Sequence, residues 1–121
     1  MITIKENNQD NLVSVHANDI INNFVNNGID AGGEYAGKTI EITGIITAKW
    51  MPKDSRPLWD ASSIDIGENI NAEIKITCYF NDIIVHDLDI GQEVTLRCKY
   101  KNYYETKYGK RIIFRKGKIT G

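Results

Sequence analysis

The residues best suited to binding chemistry lie near the C-terminus, where cations and tyrosines alternate. From Arg97 onward there are nine basic residues against one acid, Glu105, whereas the preceding part of the chain carries six basic residues against fifteen acids. Tyr103, Tyr104 and Tyr108 stand among these cations. Cations neutralise phosphates and aromatic rings stack on bases, so this combination is typical of a surface that binds single-stranded nucleic acid.

Two further segments supply residues of the same two types. One is a loop bracketed by Pro52 and Pro57, and the other is the outward face of a later predicted strand. Together with the C-terminal hairpin they give the candidate nucleic-acid-binding residues: Trp50, Lys53, Arg56, Trp59, Lys75, Tyr79, Arg97, Lys99, Tyr103, Tyr104, Lys107, Tyr108, Lys110, Arg111 and Arg115. The alternative is structural, because outward lysines and arginines also protect edge strands from aggregation. Tyr100 and Phe114 occupy the strand positions whose side chains point into the core, so we expect them to pack in the interior.

Signatures of catalysis and of metal binding are missing from the sequence. It has no Gly-rich phosphate loop, no HExxH and no GxSxG. Cys78 and Cys98 form no CxxC pair and have no histidines at zinc-ligand spacing, so we expect no zinc and no other cofactor. Each cysteine stands at an inward position of a predicted strand, which favours a buried free thiol. A disulfide between the two is the alternative if their strands are neighbours. We therefore expect a binding module and not an enzyme.

The bulk properties are those of one globular domain. The chain has 121 residues, of which 41% are hydrophobic and 26% charged. Its apolar runs are too short to form a transmembrane segment. The first residues lack the apolar stretch of a secretory signal, which favours a cytoplasmic protein. A secreted protein or lipoprotein whose signal has been removed is the alternative.

An amphipathic helix is predicted over about residues 15–27, after a flexible lead-in at residues 1–13. Apolar residues recur there at helical spacing: Ala17, Ile20, Ile21, Phe24 and Val25. Ser14 is suited to cap the start of the helix, and Asn27-Gly28 is suited to end it.

Five strands are predicted after the helix, at about residues 39–51, 62–66, 72–80, 92–102 and 110–120. Trp50 shares the parity of the core isoleucines in the first of them, although a bulge at Gly44 would reverse its side. A short helical turn, capped by Asn81 or Asp82 and running through Leu88, separates the third strand from the fourth. Three strands, a helix and two strands is the order of the OB-fold. We therefore expect an all-β fold, a five-stranded OB-fold Greek-key barrel preceded by an N-terminal helix, with residues 14–121 forming its single domain.

Several stretches match the pattern of a known family. They are Glu-Tyr-Ala-Gly-Lys-Thr-Ile-Glu-Ile-Thr-Gly-Ile-Ile at residues 34–46, Ile-Asp-Ile-Gly at 64–67, Cys-Tyr-Phe at 78–80 and Leu-Asp-Ile-Gly-Gln-Glu-Val-Thr-Leu at 88–96. Over about residues 15–120 the chain thus resembles the tRNA_anti-like OB-fold proteins, a group of mostly uncharacterised bacterial proteins. The resemblance implies an OB-fold related to the anticodon-binding barrels of synthetases, and several relatives look like secreted lipoproteins. This chain departs from the family pattern in the last hairpin, whose tip is longer, basic and aromatic.

Two classes of function fit these observations. The first is a module that binds single-stranded DNA, single-stranded RNA or a structured RNA through the basic, tyrosine-rich hairpin. The second is a protein-interaction or envelope-associated accessory domain that uses the barrel as a scaffold, and OB-folds also bind oligosaccharides. Cations gathered in one groove would favour the first function, whereas cations scattered around the barrel would favour the second.

Overall fold

A computed structural model describes residues 12–50, 62–67, 74–81, 88–107 and 109–121. The elements in chain order are strand β1 (Leu12–His16), helix α1 (Ala17–Asn27), a 3₁₀ helix (Gly28–Glu34) and strands β2 (Thr39–Trp50), β3 (Ser62–Gly67), β4 (Ile74–Phe80), β5 (Glu93–Thr106) and β6 (Gly109–Ile119). Within these ranges no helix is both long enough and apolar enough to span a membrane.

Five strands close into the barrel that the order of elements predicts. The sheet runs β1-β2-β3-β4-β6-β5, and an additional pairing of β5 with β2 closes β2 to β6 into a ring. The strand β2 is long enough to serve both sides, because residues 39–45 pair with β5 and residues 45–50 pair with β3. β4 and β6 are parallel, whereas the other pairs within the ring are antiparallel. This is the OB-fold order of strands, and the prediction of fold class is confirmed.

A bulge in β2 decides which side chains of that strand face the outside. The register with β3 shifts between Ile46 and Ala48, later than the predicted irregularity at Gly44. Ile46, before the bulge, is fully buried, whereas Trp50, beyond it, is half exposed. Gly44 itself stays in regular register with Val94 on β5. The bulge therefore places Trp50 on the outer surface, although its sequence parity is that of the core.

The core fills the inside of the barrel with the alternate residues of its strands. Its cluster includes Ile40, Ile42, Ile46, Ile64, Ile66, Ile74, Ile76, Phe80, Val94, Leu96, Ile112 and Phe114. Cys78 and Cys98 belong to the same cluster and are buried free thiols, as their apolar alternation predicts. Burial raises the pKa of the Cys98 thiol well above its usual value, with a further contribution from the neighbouring Cys78.

The structure differs from the sequence-based prediction at the N-terminus. Leu12 and Val13, which were expected in the flexible lead-in, belong to β1 and pair in parallel with the first residues of β2. Ser14 is not a helix cap, because its hydroxyl donates a hydrogen bond to Glu41 at 3.1 Å and the helix begins only at Ala17. In β1 the backbone N–H and C=O groups form hydrogen bonds with β2, whereas in a flexible lead-in the same groups would be bonded to water. The rest of the predicted lead-in lies outside the described residues.

The helix α1 packs its apolar stripe against the barrel. Ala17, Ile20 and Phe24 are buried, whereas Val25, which the helical spacing assigns to the same stripe, is 61% exposed. The helix ends at Asn27 and is capped by Gly28, which has a φ of 58° and donates its backbone N–H to the carbonyl of Phe24. Asn27-Gly28 thus ends the helix as predicted. The short helical turn predicted through Leu88 falls mostly on residues 82–87, which lie outside the described residues.

Candidate functional site

A depression of about 260 Å³ lies on the outer face of the barrel and is lined by all five of its strands. The register explains why these residues meet. Trp50 lies opposite Ser63, and Ser63 lies opposite Tyr79, so β2, β3 and β4 each add one position to the same row. The depression is lined by Ala48, Lys49, Trp50, Ser63, Asp65, Thr77, Tyr79, Tyr104 and Arg111. We call this surface the β3–β4 face.

Three aromatic side chains come from three different strands of the β3–β4 face. Trp50 is 50% exposed and Tyr104 is 45% exposed, whereas Tyr79 is half-buried. Exposed apolar side chains are ordinary when scattered singly, whereas rings gathered in one patch mark an interaction surface. They offer flat apolar surfaces on which a planar ligand can stack.

The centre of the β3–β4 face holds a charged cluster, which we define as Asp65, Thr77 and Arg111. The guanidinium Nη1 of Arg111 lies 3.0 and 3.1 Å from the two carboxylate oxygens of Asp65, and 2.5 Å from the Thr77 hydroxyl. The Thr77 hydroxyl in turn donates to Asp65 Oδ1 at 2.6 Å. The Asp65 side chain is only 13% exposed and that of Arg111 is 39% exposed. These bonds hold both charged groups in one geometry, a condition for specific recognition.

The structure brings some of the candidate binding residues together on this face. Trp50, Tyr79, Tyr104 and Arg111 line it directly, and Lys75 lies opposite Arg111 in the register of β4 with β6. Lys53, Arg56, Trp59 and Tyr108 lie outside the described residues, so their place relative to the face stays a prediction.

Tyr103 is placed in the core, which differs from its expected position on the binding surface. It is 6% exposed, its ring centroid lies 4.7 Å from that of Phe24, and its hydroxyl donates to Glu105 at 2.8 Å. Burial raises the pKa of Tyr103 to about 12, with Glu105 adding to the effect. The cause is a bulge between Tyr100 and Asn102, which reverses the alternation of β5 and turns Tyr103 to the same side as Tyr100.

The remaining cations of the hairpin are spread along it and not gathered on the β3–β4 face. Lys99 lies opposite Arg115 on β5 and β6, four residues along β6 from Arg111, or roughly 13 Å at the usual rise of a strand. These cations have both acidic and basic residues as neighbours. Arg97 is paired with Glu41 at 3.1 Å, Lys110 lies opposite Glu105, and Lys107 is exposed in the turn. Of the described cations, therefore, few are placed to bind phosphates on the β3–β4 face.

Asp65 and Thr77 are the functional candidates that the sequence analysis missed. Both lie at outward positions of short strands and are directly opposite each other in the register of β3 with β4. Asp65 stands two residues before Gly67, at the end of a short strand, and an acidic residue close to such a glycine has the pattern of an ordinary turn. The available signal was the alternation, which places Asp65 on the opposite side from Ile64 and Ile66.

Another depression, of about 380 Å³, lies where α1 begins and where β2 meets β3. Asp19 and Glu93 are the acidic residues that line it, together with His16. Two carboxylates disfavour an anionic ligand, so this depression is a poor site for nucleic acid.

Comparisons with known proteins agree with the fold. The model of the tRNA_anti-like family matches residues 2–108. A solved structure from Klebsiella pneumoniae subsp. pneumoniae MGH 78578, whose protein is described as a candidate nucleic acid-binding lipoprotein, superposes with a TM-score of 0.63. The two chains share 14% sequence identity, and the alignment covers 89% of this chain and 92% of that one, so the likeness is one of fold. A search among the curated proteins found no match.

Proposed function

The chain belongs to the tRNA_anti-like family, and from this premise we propose that it is a non-catalytic OB-fold module that binds single-stranded nucleic acid on the β3–β4 face. The observation that carries the proposal is the convergence of Trp50, Tyr79 and Tyr104 on one open face of the barrel. In OB-folds that bind oligonucleotides, the ligand lies across the sheet formed by these two central strands of the barrel.

The aromatic side chains account for affinity in this proposal. Stacking of a base on an exposed ring contributes about 1–3 kcal/mol per base and tolerates any sequence, because every base has a flat face. Trp50 and Tyr104 are the two rings with the largest exposed fractions on the face, so we expect them to stack with bases. Lys75 lies opposite Arg111 in the register of β4 with β6, beside the depression, and its ammonium can approach the phosphates of the strand.

The direct test is a titration of the tryptophan and tyrosine fluorescence of the protein with short single-stranded DNA and RNA. We expect saturable quenching that is stronger at low salt than at physiological salt. We also expect Trp50→Ala and Tyr104→Ala each to weaken binding about tenfold or more, since each removes one stacking surface. Because Trp50→Ala removes a reporter, its affinity is measured with a fluorescently labelled oligonucleotide by anisotropy.

A matched control is available on another part of the surface. Ile90 is 53% exposed and does not line the β3–β4 face, so Ile90→Ala removes an equally exposed apolar side chain elsewhere. All three variants are first checked for native circular dichroism and an unchanged unfolding midpoint. The proposal is wrong if no oligonucleotide binds at low salt, or if Ile90→Ala weakens binding as much as the two aromatic variants do.

An envelope-associated interaction domain is the second candidate function. It is favoured by the description of the Klebsiella protein as a lipoprotein and by the spread of the cations along the hairpin. Absence of oligonucleotide binding at low salt, together with recovery of the protein from the membrane fraction of cells that express its complete gene, would favour this function over the first.

A further inference from the structure

The charge at the centre of the β3–β4 face restricts what can bind there. Among the described residues, the ionisable side chains that line the depression are Lys49, Asp65, Arg111 and the two tyrosines, and the Nζ of Lys49 donates to the carbonyl of Leu88 at 2.5 Å. The carboxylate of Asp65 is paired with Arg111, so the charges of these two groups largely cancel. A phosphate next to Asp65 would be repelled, whereas an uncharged base would not be. The centre is therefore suited to a base, with the phosphates farther out.

The hydrogen bonds inside the charged cluster determine which donors and acceptors remain for a ligand. Among the described residues, Asp65 Oδ1 accepts from both Thr77 and Arg111, whereas Oδ2 accepts from Arg111 alone. A carboxylate oxygen accepts about two hydrogen bonds, so Oδ2 keeps one free position. All the hydrogen bonds that Arg111 donates to described residues come from Nη1, so within the described part of the chain its Nε and Nη2 are donors without a protein acceptor. The cluster thus offers one acceptor beside two donor nitrogens.

The four bases differ in how well they complement this set. The Watson–Crick edge of cytosine has one donor, the N4 amino group, followed by two acceptors, N3 and O2. Adenine offers one donor and one acceptor, and thymine or uracil has a donor between two acceptors. Guanine has the reverse order, with one acceptor and two donors, and leaves charged groups of the cluster unsatisfied. A carboxylate that accepts from the N4 amino group is an established way to recognise cytosine.

We propose that Asp65, Thr77 and Arg111 recognise the Watson–Crick edge of one unpaired cytosine, with Asp65 accepting from its N4 amino group and Arg111 donating to N3 and O2. This rests on the proposed function, since the base is held between the exposed rings of the β3–β4 face. The depression, of about 260 Å³, is large enough for one base and its sugar. The cluster determines base preference, whereas the rings supply affinity for any base.

The test compares nonanucleotides that differ only at the central position of an oligothymidine. The central residue is deoxycytidine, deoxyadenosine, thymidine, deoxyguanosine or the 2-pyrimidinone nucleoside, which is cytosine without its amino group. We expect cytosine to bind about tenfold more tightly than thymine, adenine to lie between them, and guanine to bind most weakly. The 2-pyrimidinone oligonucleotide should lose most of the gain, because only the contact with Asp65 is removed.

A double variant separates recognition from affinity. Asp65→Leu with Arg111→Met replaces the ion pair by apolar side chains of similar volume, so no unpaired charge is left behind. We expect it to bind oligothymidine nearly as well as the unaltered protein and to lose the preference for cytosine. The matched control is Glu41→Leu with Arg97→Met, which removes an ion pair of similar length elsewhere on the barrel and should keep the preference.

The outcomes distinguish this inference from the function on which it rests. Binding of all the nonanucleotides with equal affinity, or tightest binding of guanine, would overturn the inference and leave the proposed function standing. No binding of any nonanucleotide at low salt would overturn both. If the double variant does not fold, the comparison of cytosine with 2-pyrimidinone on the unaltered protein still decides the question.

Discussion

Gly117 lies where β6 crosses the core, and its missing side chain leaves room for two neighbours. A Cβ at this position would meet Cys78 Sγ at 2.7 Å and the Phe80 ring at 2.7 Å, both in the fully packed interior. We expect Gly117→Ala to lower the free energy of unfolding by about 1–3 kcal/mol, measured by urea denaturation. Gly33→Ala is the matched control, because a Cβ there meets nothing within 4 Å. Equal stabilities of the two variants would contradict this account of the packing.

The buried hydroxyl of Tyr103 should make the fold sensitive to alkaline pH. Its pKa is raised by burial to about 12, above the value of about 10 in an unfolded chain. The neutral phenol is therefore favoured in the folded state. Its contribution to the free energy of unfolding is fully present below pH 10 and is lost as the pH rises toward 12. Burial also raises the pKa values of Tyr35 and Tyr100, in the same direction.

The contribution of Tyr103 is isolated by comparison with Tyr103→Phe. Urea unfolding midpoints are measured at intervals between pH 8 and pH 11 for both proteins. We expect the difference in stability between them to shrink as the pH rises above about 10, because only the tyrosine can ionise. A difference that stays constant across this range would show that Tyr103 titrates alike in the folded and unfolded chains.

At the scale of elements, the position of α1 is fixed by a close approach to β2. A Cβ on Gly44 would come within 2.8 Å of the Cβ of Ala17, at the first turn of the helix. We expect Gly44→Ala to cost about 1–3 kcal/mol of stability, since the helix or the strand must shift. Adding Ala17→Gly to this variant removes the opposing methyl group and should restore part of the loss.

The coupling between Gly44 and Ala17 is measured by a double-mutant cycle in urea denaturation. Because the two positions are in contact, the cost of the double variant should be smaller than the sum of the two single costs by at least about 0.5 kcal/mol. Additive costs would mean that helix and strand do not constrain each other at this point.

Bulges explain which parts of the barrel could be predicted from the sequence. Strict alternation in β4 and in the first half of β5 predicted the inward side chains correctly, from Ile74 to Phe80 and from Val94 to Tyr100. A bulge inserts one residue and reverses every side chain beyond it. The bulge in β2 thus moved Trp50 outward and the one in β5 moved Tyr103 inward, and no residue type marks either position in the sequence.

The strand β1 was missed for a different reason. Its five residues, Leu-Val-Ser-Val-His, form a short alternation next to a stretch rich in Asn and Gln. Such a segment is stable as a strand only because the first residues of β2 offer it a free edge to pair with in parallel. Local sequence cannot show that this edge exists, because it arises from the way β3 pairs only with the second half of β2.

At the scale of the whole molecule, the distribution of charge should give binding that depends only moderately on salt. The described cations nearest the candidate site are Lys49, Lys75 and Arg111, and Arg111 is already paired with Asp65. If a bound strand places about two phosphates against cations, the logarithm of the affinity should fall with the logarithm of salt at a slope of about −1.4. A roughly fourfold rise in salt would then weaken binding about sevenfold.

The basic residues at the other end of the hairpin provide a control for the role of the cations near the β3–β4 face. Lys99 and Arg115 lie opposite each other on the outer surface, away from the exposed rings. Reversing both charges, in Lys99→Glu with Arg115→Glu, should leave the affinity for a short oligonucleotide and its salt slope nearly unchanged, whereas Lys75→Glu should weaken binding and alter the slope. Both are measured by fluorescence titration across a series of salt concentrations. A large loss of affinity in the Lys99 and Arg115 variant, with a slope steeper than about −3 in the unaltered protein, would mean that the strand follows the length of the hairpin and not the β3–β4 face.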